Sequence, residues 1–205
     1  MASALPSATI ERLPRYLRCL NDMSLAADRC SSDQLAAAAG VNAAQVRKDL
    51  SFVGTQGTRG VGYEIADLIH NIRIVLGITK SYPVVIVGAG NLGSALSNYE
   101  GFKAWGFEIA ALVDNDDAVI GTEVGDLTVE SSSRLASIVK KRGIQIGIIA
   151  TPASAAQGVA DQLIMLGVKS ILNLAPTVLK SGDGVGIRRV DLPTELGILA
   201  HHLSR

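Results

Sequence analysis

The hydrophobic period of this chain changes near residue 80, and one layer of structure cannot satisfy both patterns. Before the change the spacing is helical. Ile10, Leu13, Leu17 and Leu20 fall at offsets 0, 3, 7 and 10, a single stripe of an amphipathic helix. Pro14 interrupts that stripe, so the helix either kinks there or begins there with proline in its first turn. After residue 80, short apolar runs (84–87, 109–113, 144–150 and 170–174) alternate with helix-like stretches. That alternation predicts a parallel β-sheet covered by helices on both faces, an α/β architecture. The boundary is expected within Gly77–Pro83, where Gly77, Ser81 and Pro83 break the pattern.

Composition supports two packed units. Hydrophobic residues make up 48% of 205 residues and mean hydropathy is +0.31, which excludes disorder as the main state. No apolar run approaches the ~18 residues of a membrane span, and Pro83–Val87 is only of strand length. Met1–Thr9 lacks the charged and apolar regions of a secretory signal. Cys19 and Cys30 have neither metal-ligand spacing nor disulfide-framework numbers, so a reduced cytoplasmic setting, no metal and structural thiols are expected. Net charge is zero, with +2 on residues 1–80 and −2 on residues 81–205. Any nucleic-acid reading must therefore rest on motif.

The first unit supplies one. Ser31-Ser32-Asp33 offers an N-cap for a helix over Gln34–Ala39, and Gly40 ends it. Asn42 caps a second helix, Ala43–Leu50, with Val46 and Leu50 facing Leu35. Two short helices joined by a Gly-containing turn form a helix-turn-helix. Gln45, Arg47 and Lys48 are left on outer faces, the residue types that reach base edges and phosphates in a major groove. Asp49 reads as an orienting residue. The following Gly54-Thr55-Gln56-Gly57-Thr58-Arg59-Gly60-Val61-Gly62-Tyr63, flanked by Phe52-Val53, suits a hairpin wing presenting Arg59 to a narrow minor groove. A phosphate loop is the alternative, but the segment lacks the Lys-Ser/Thr of a P-loop. Ser51, Thr58 and Gly60 complete the expected DNA-facing set.

The second unit opens with Pro83-Val84-Val85-Ile86-Val87 running into Gly88-Ala89-Gly90-Asn91-Leu92-Gly93, with a helix to follow. This is G-x-G-x-x-G in the strand-to-helix context of a Rossmann dinucleotide site. Gly88 permits the tight turn, Gly90 admits a pyrophosphate and Gly93 brings helix and strand together. The next strand ends at Asp114, whose carboxylate suits the ribose hydroxyls of NAD(H) and would repel a 2′-phosphate; the alternative is a turn acid beside Asn115, Asp116 and Asp117. Later strand ends present Thr151-Pro152 and Asn173, as ligands or as plain caps. A dehydrogenase would need a substrate domain and a positioned acid or base, and neither is in view, the only histidines being His70, His201 and His202. Pro193–Arg205 carries Leu196, Leu199, Ala200 and Leu203 on one face, which suits docking on a partner subunit or a domain junction.

Six segments carry a likeness along nearly the whole chain: Val46-Arg47-Lys48-Asp49-Leu50, Gly57-Thr58-Arg59-Gly60-Val61-Gly62-Tyr63, the glycine fingerprint, Tyr99-Glu100-Gly101-Phe102, Ile171-Leu172-Asn173-Leu174-Ala175-Pro176 and Val190-Asp191-Leu192. By them the chain resembles the Rex family of redox-sensing transcriptional repressors. The resemblance implies a winged helix-turn-helix DNA-binding domain at 1–77, a linker at 78–82, a Rossmann NAD(H)-binding domain at 83–180 and a helix at 191–205 exchanged between the subunits of a homodimer. It implies a non-enzymatic repressor that binds double-stranded operator DNA, responds to NADH and NAD+, and leaves DNA when NADH binds. Arg47 and Lys48 would read bases and Arg59 the minor groove. Tyr99 and Asp191 of opposite subunits would report the state of the nicotinamide, with Arg18 an alternative partner of Asp191. Leu192 stands where some relatives place Phe.

Overall fold

The computed structural model describes residues 5–203 apart from Gln56 and Arg59, and the backbone alone of residue 202. The chain divides into two compact units, Met1–Lys80 and Ser81–Arg205.

In the first unit, helix α1 spans Ser7–Met23 and continues through Pro14. The lost backbone bond there is outweighed by a face that buries Leu13, Tyr16, Leu17 and Leu20 almost completely. Ile10, expected in that stripe, is 47% exposed, and Thr9 takes the buried position one residue earlier. A two-residue strand β1, Arg29–Cys30, leads into α2, Ser32–Ala39. Ser31 and Gln34 form a reciprocal capping box: the Ser31 Oγ accepts from the Gln34 N–H at 3.1 Å, and the Gln34 Oε1 accepts from the Ser31 N–H at 2.7 Å. Gly40 closes α2 in the left-handed conformation at φ +65°. Asn42 then caps α3, Ala43–Phe52, accepting from the Gln45 N–H at 2.8 Å. Leu35, Val46 and Leu50 are completely buried where α2 packs on α3.

The glycine-rich segment keeps a local antiparallel bridge but departs from the expected hairpin in its flank. Phe52 belongs to α3 and Val53 is its C-cap, so neither starts a strand. Within the segment Thr58 bridges Gly62, and the chain continues into β2, Tyr63–Glu64. That strand pairs antiparallel with β1, ahead of the helix-turn-helix. A long-range partner is thus added to the local bridge. Helix α4, Ile65–Val75, completes the unit.

In the second unit, β3 (Tyr82–Val87) is followed by α5 (Asn91–Ser97), α6 (Gly101–Ala104) and β4 (Phe107–Asp114). A short hairpin of β5 (Glu123–Val124) and β6 (Leu127–Ser131) precedes α7 (Leu135–Arg142). Then come β7 (Ile146–Ile149), α8 (Ala153–Met165), β8 (Ser170–Asn173), β9 (Gly186–Arg189) and α9 (Leu192–Leu203). The strands lie in the order β5-β6-β4-β3-β7-β8-β9, parallel except for β5. Without β5 this is the 3-2-1-4-5-6 order of the dinucleotide-binding fold. The parallel sheet therefore extends past residue 180 to β9, a strand too short and too exposed to register as an apolar run.

Strand alternation splits the core by face. Val85, Val87, Ala111, Val113 and Ile149 pack with Leu135 and Ile138 of α7 and Ala156 and Leu163 of α8. Val84, Ile86, Leu112, Val129 and Ile148 form the other layer, with Leu96 and Phe102 against them. Strand order reverses between β3 and β7, so their carboxyl ends open a crevice where ligands of such sheets bind.

Candidate functional site

At that crevice the three glycines of the loop have three distinct spatial reasons. A Cβ on Gly88, whose φ is +109°, would lie 2.6 Å from the Ala150 carbonyl oxygen at the end of β7. A Cβ on Gly93 would lie 1.8 Å from the Gly88 carbonyl oxygen, so α5 and β3 approach as closely as they do only because Gly93 has no side chain. A Cβ on Gly90 would meet nothing within 4 Å. Space, not packing, is what Gly90 supplies, and it lies where a pyrophosphate would need backbone approach. Asn91 and Leu92 open α5 just beyond.

Asp114 reaches this loop. Its Oδ2 accepts from the Ala89 N–H at 2.6 Å, and its Oδ1 accepts from the N–H groups of Asn115 and Asp116 at 2.7 and 3.0 Å. The carboxylate is therefore tied to the glycine loop as well as to its own turn. Across the crevice, the Thr151 Oγ1 is buried and has no hydrogen-bond partner. A buried hydroxyl without a partner costs free energy, and a ligand entering the crevice would satisfy it. Pro152 directs the chain into α8. Asn173 is different. It is completely buried, its Nδ2 donates to the Thr177 carbonyl at 2.8 Å and its Oδ1 accepts from the Ala175 N–H at 3.0 Å. Its side chain clamps the loop after β8 through these two bonds.

The open cradle at Gly90 and the orphaned Thr151 hydroxyl fit a dinucleotide. Beside them lies a cavity of about 240 Å³ walled by Leu92, Leu96, Leu174, Pro176 and Leu192, with Asp191 at its edge. Asp191 is the N-terminal residue before α9, accepting from the Thr194 N–H at 3.4 Å, and it is ion-paired with Arg189. A hydrogen bond from the Thr194 side chain foremost, then the Thr194 N–H and Arg189, hold its carboxyl below the usual aspartate range. Arg189 has no counterpart in the sequence reading; its i, i+2 spacing from Asp191 is the signal that was present. Tyr99 is 55% exposed and stands edge-on to Phe102, with ring centroids 5.2 Å apart. Tyr99 and Asp191 line separate cavities and share no hydrogen bond among the described residues. On α9, Leu196, Ile198, Leu199 and Leu203 are all exposed.

In the first unit the centre is Asp49, which has no solvent-accessible surface. Its carboxylate accepts from the Thr9 hydroxyl at 2.9 Å, from Arg12 Nε and Nη2 at 2.6 and 2.8 Å, from the Tyr16 hydroxyl at 2.8 Å and from Gln45 Nε2 at 3.0 Å. Burial opposes its charge, but donors from Arg12, Tyr16, Thr9 and Gln45 outweigh burial and hold the group at about 2. Burial, then the bond to Asp49, pushes the Tyr16 phenol up. The bond to Asp49 likewise reinforces the Arg12 charge. Thr9, Arg12 and Tyr16 fall at i, i+3 and i+7 of α1, so one helix face is tied to α3 through a single carboxylate. Gln45, read in the sequence as an outward group, turns its amide onto Asp49 because that carboxylate lies one turn ahead.

Arg47 and Lys48 are exposed on α3. The Arg47 Nη1 donates to the Ser32 Oγ at 2.9 Å, and the Ser51 hydroxyl donates to the Lys48 carbonyl at 2.6 Å. Thr58 and Gly60 line a cavity of about 580 Å³ between the start of α2 and the glycine-rich loop, which Arg29 and Arg47 also border. Arg59 lies outside the described residues. Cys30 is buried and Cys19 half-buried; burial pushes both thiols up, away from reactive thiolate. Among the described residues no cluster of three or more His, Cys, Asp or Glu is placed to hold a metal, and no helix is long and apolar enough to cross a membrane.

Fold and site together define a class, in which a helix-turn-helix unit is joined to a dinucleotide-type Rossmann unit. Family profiles agree with this division: one described as a putative DNA-binding protein N-terminus matches residues 4–51, and one described as a CoA binding domain matches residues 79–177. A redox-sensing transcriptional repressor Rex from Streptomyces avermitilis is 53% identical over 202 residues, covering 98% of this chain and 80% of that protein. The Rex of Pelotomaculum thermopropionicum is 46% identical, covering 98% of this chain and 95% of its own. The crystal structure of RSP in complex with β-NAD+ and operator DNA superposes with a TM-score of 0.91 at 35% identity, covering 98% of this chain and 93% of that one. RSP is a Rex-family repressor, and its structure has also been solved in complex with β-NADH. The chain belongs to the Rex family of redox-sensing transcriptional repressors, whose Rossmann unit serves sensing and not catalysis.

Proposed function

We propose that this protein represses transcription as a cytoplasmic, metal-free homodimer that holds operator DNA when NADH is scarce and releases it when NADH binds. The observation that carries the reading is the crevice at the β3–β7 switch point, with an open cradle at Gly90 and an orphaned hydroxyl on Thr151, the residue whose backbone abuts Gly88. The relative RSP supports both halves of the cycle, since it has been crystallised with β-NAD+ on operator DNA and with β-NADH.

Gly88–Gly93 would hold the pyrophosphate, Asp114 the adenosine ribose and Thr151-Pro152 the far wall, while Asn173 keeps the loop after β8 in place. NADH and NAD+ differ at the nicotinamide, which is neutral in one and cationic in the other. A ligand shifts an equilibrium only through its differential affinity for two states. Discrimination therefore belongs to groups near that ring. Tyr99 of one subunit and the partner subunit's Asp191 are the assigned pair, brought together when α9 is exchanged. The exposed leucines of α9 suit that exchange. Their bond in the NADH-bound dimer would re-space two DNA-reading helices that must meet half-sites ~34–36 Å apart or a multiple of it. Arg47 and Lys48 read the major groove, with Ser51, Thr58, Arg59 and Gly60 against the backbone and minor groove. Gln45, bonded to Asp49, supports α3 from behind.

The test is a DNA duplex selected from a randomised library by the protein itself. The unmodified protein should retain that duplex and lose it on adding NADH. Tyr99→Phe and Asp191→Ala should bind both NADH and the duplex yet release the duplex poorly. Release curves superimposable on that of the unmodified protein would refute this pair as the sensor.

A further inference from the structure

Arg47 does not stand free on the recognition helix. Its Nη1 donates to the Ser32 hydroxyl at 2.9 Å, and Ser32 is itself buried at the first residue of α2. The bond crosses from the second helix of the motif to the first. It uses one terminal nitrogen of the guanidinium and leaves the opposite edge, Nε and Nη2, without a partner among the described residues. That edge is a fork of two parallel donors, the geometry that matches the O6 and N7 acceptors of guanine in a major groove. A long arginine side chain samples many rotamers, and holding one of its ends reduces the entropy lost when the other end docks.

We propose that Ser32 is a positioning residue for base reading: its hydroxyl presets the Arg47 guanidinium with its Nε–Nη2 edge directed to guanine. This rests on Arg47 reading bases, as proposed above. Ser32 thereby contributes to sequence discrimination without touching the base. The neighbouring Ser31 has a separate task, since its hydroxyl is engaged in the capping box of α2. Removing the Ser32 hydroxyl therefore leaves the helix cap intact.

Ser32→Ala, Ser32→Thr, Arg47→Ala and the Ser32→Ala/Arg47→Ala double variant are titrated against the selected duplex and against a random-sequence duplex of equal length. Ser32→Ala should weaken the selected duplex about 3- to 10-fold, the net scale of one ordinary hydrogen bond, and leave the random duplex within about twofold. Ser32→Thr, which keeps the hydroxyl, should restore discrimination. In the Arg47→Ala background, Ser32→Ala should have no further effect, since its whole influence passes through Arg47. Thermal midpoint and NADH affinity should be unchanged in all four, a readout that separates positioning from folding. An unchanged ratio of selected to random affinity in Ser32→Ala, or an equal loss with and without Arg47, overturns the proposal. If Arg47→Ala itself leaves that ratio unchanged, the base-reading assignment of Arg47 fails first and the role of Ser32 falls with it.

Discussion

The two units solve the problem of holding a site rigid by opposite means. The helix-turn-helix unit concentrates donors on one buried charge: four side chains converge on Asp49, three of them from α1. The Rossmann unit works by omission. Gly88 and Gly93 are places where any side chain would collide with backbone, Gly90 is a place left open, and Thr151 carries a hydroxyl left unsatisfied. A surface that must present a fixed helix to DNA tolerates a saturated polar centre. A pocket that admits and releases a ligand can leave space unfilled and a polar group unpaired. The difference predicts that mutations will act differently in the two halves: loss of a partner should unfold the first, and loss of a gap should close the second.

The largest effect is expected at Asp49. Asp49→Ala strips the acceptor from Thr9, Arg12, Tyr16 and Gln45 and should destabilise the first unit by about 3–5 kcal/mol, as when one partner of a buried pair is removed. Denaturant unfolding followed by probes in each unit should show the loss confined to residues 1–80, with NADH binding intact. An unaltered transition would mean that the network does not hold α1 to α3.

Next comes the contrast between two glycines. Gly93→Ala places a Cβ 1.8 Å from the Gly88 carbonyl oxygen and should cost about 1–3 kcal/mol of overpacking or more. Gly90→Ala meets nothing in the ligand-free protein and should leave thermal stability within about 0.5 kcal/mol, yet weaken NADH binding, read by calorimetry. Equal stability losses in the two variants would break the distinction between a packing glycine and a cradle glycine.

Acid should act most strongly on the first unit, at its buried carboxylate. Asp49 is held at about 2, against 3.8 in an unfolded chain. Its folded value is depressed, so its contribution is fully present above the unfolded value and is lost as pH falls from about 4 to about 2. The amount is about 2 kcal/mol. Asp49→Asn should flatten that part of the stability–pH curve for residues 1–80; a curve of unchanged shape would contradict the assignment.

The smallest effect has the most diagnostic sign. Thr151→Val removes a buried hydroxyl that has no partner, so the ligand-free protein should be as stable as before or slightly more so. NADH affinity should fall by about 3- to 10-fold. A loss of stability with unchanged affinity would make Thr151 a structural cap.

Local signals were legible in the chain. Ser31, Gly40 and Asn42 delimit their helices through bonds to residues three or four positions away, and the glycine fingerprint needs only its flanking strand and helix. What escaped depends on distance or on satisfied chemistry. Three of the four partners of Asp49 lie 33–40 residues earlier on α1, although their i, i+3, i+7 spacing marks one face. Strands β5, β6 and β9 are two to five residues long with partly exposed, polar positions, so no apolar period announced them. Asn173 could be read as a ligand or as a cap from its place at a strand end; its bonds to Thr177 and Ala175 depend on the path of the loop after β8 and give it the structural part.

The central claim is that the dinucleotide and DNA report on one equilibrium, and reciprocity tests it most directly. If NADH weakens DNA binding by some factor, saturating DNA must weaken NADH binding by the same factor. NADH and NAD+ should each be titrated into the protein alone and into its complex with the selected duplex. The account predicts NADH affinity lowered at least ~10-fold by the duplex, a coupling on the usual allosteric scale, with NAD+ affinity equal or raised. Superimposable NADH isotherms with and without DNA would contradict it.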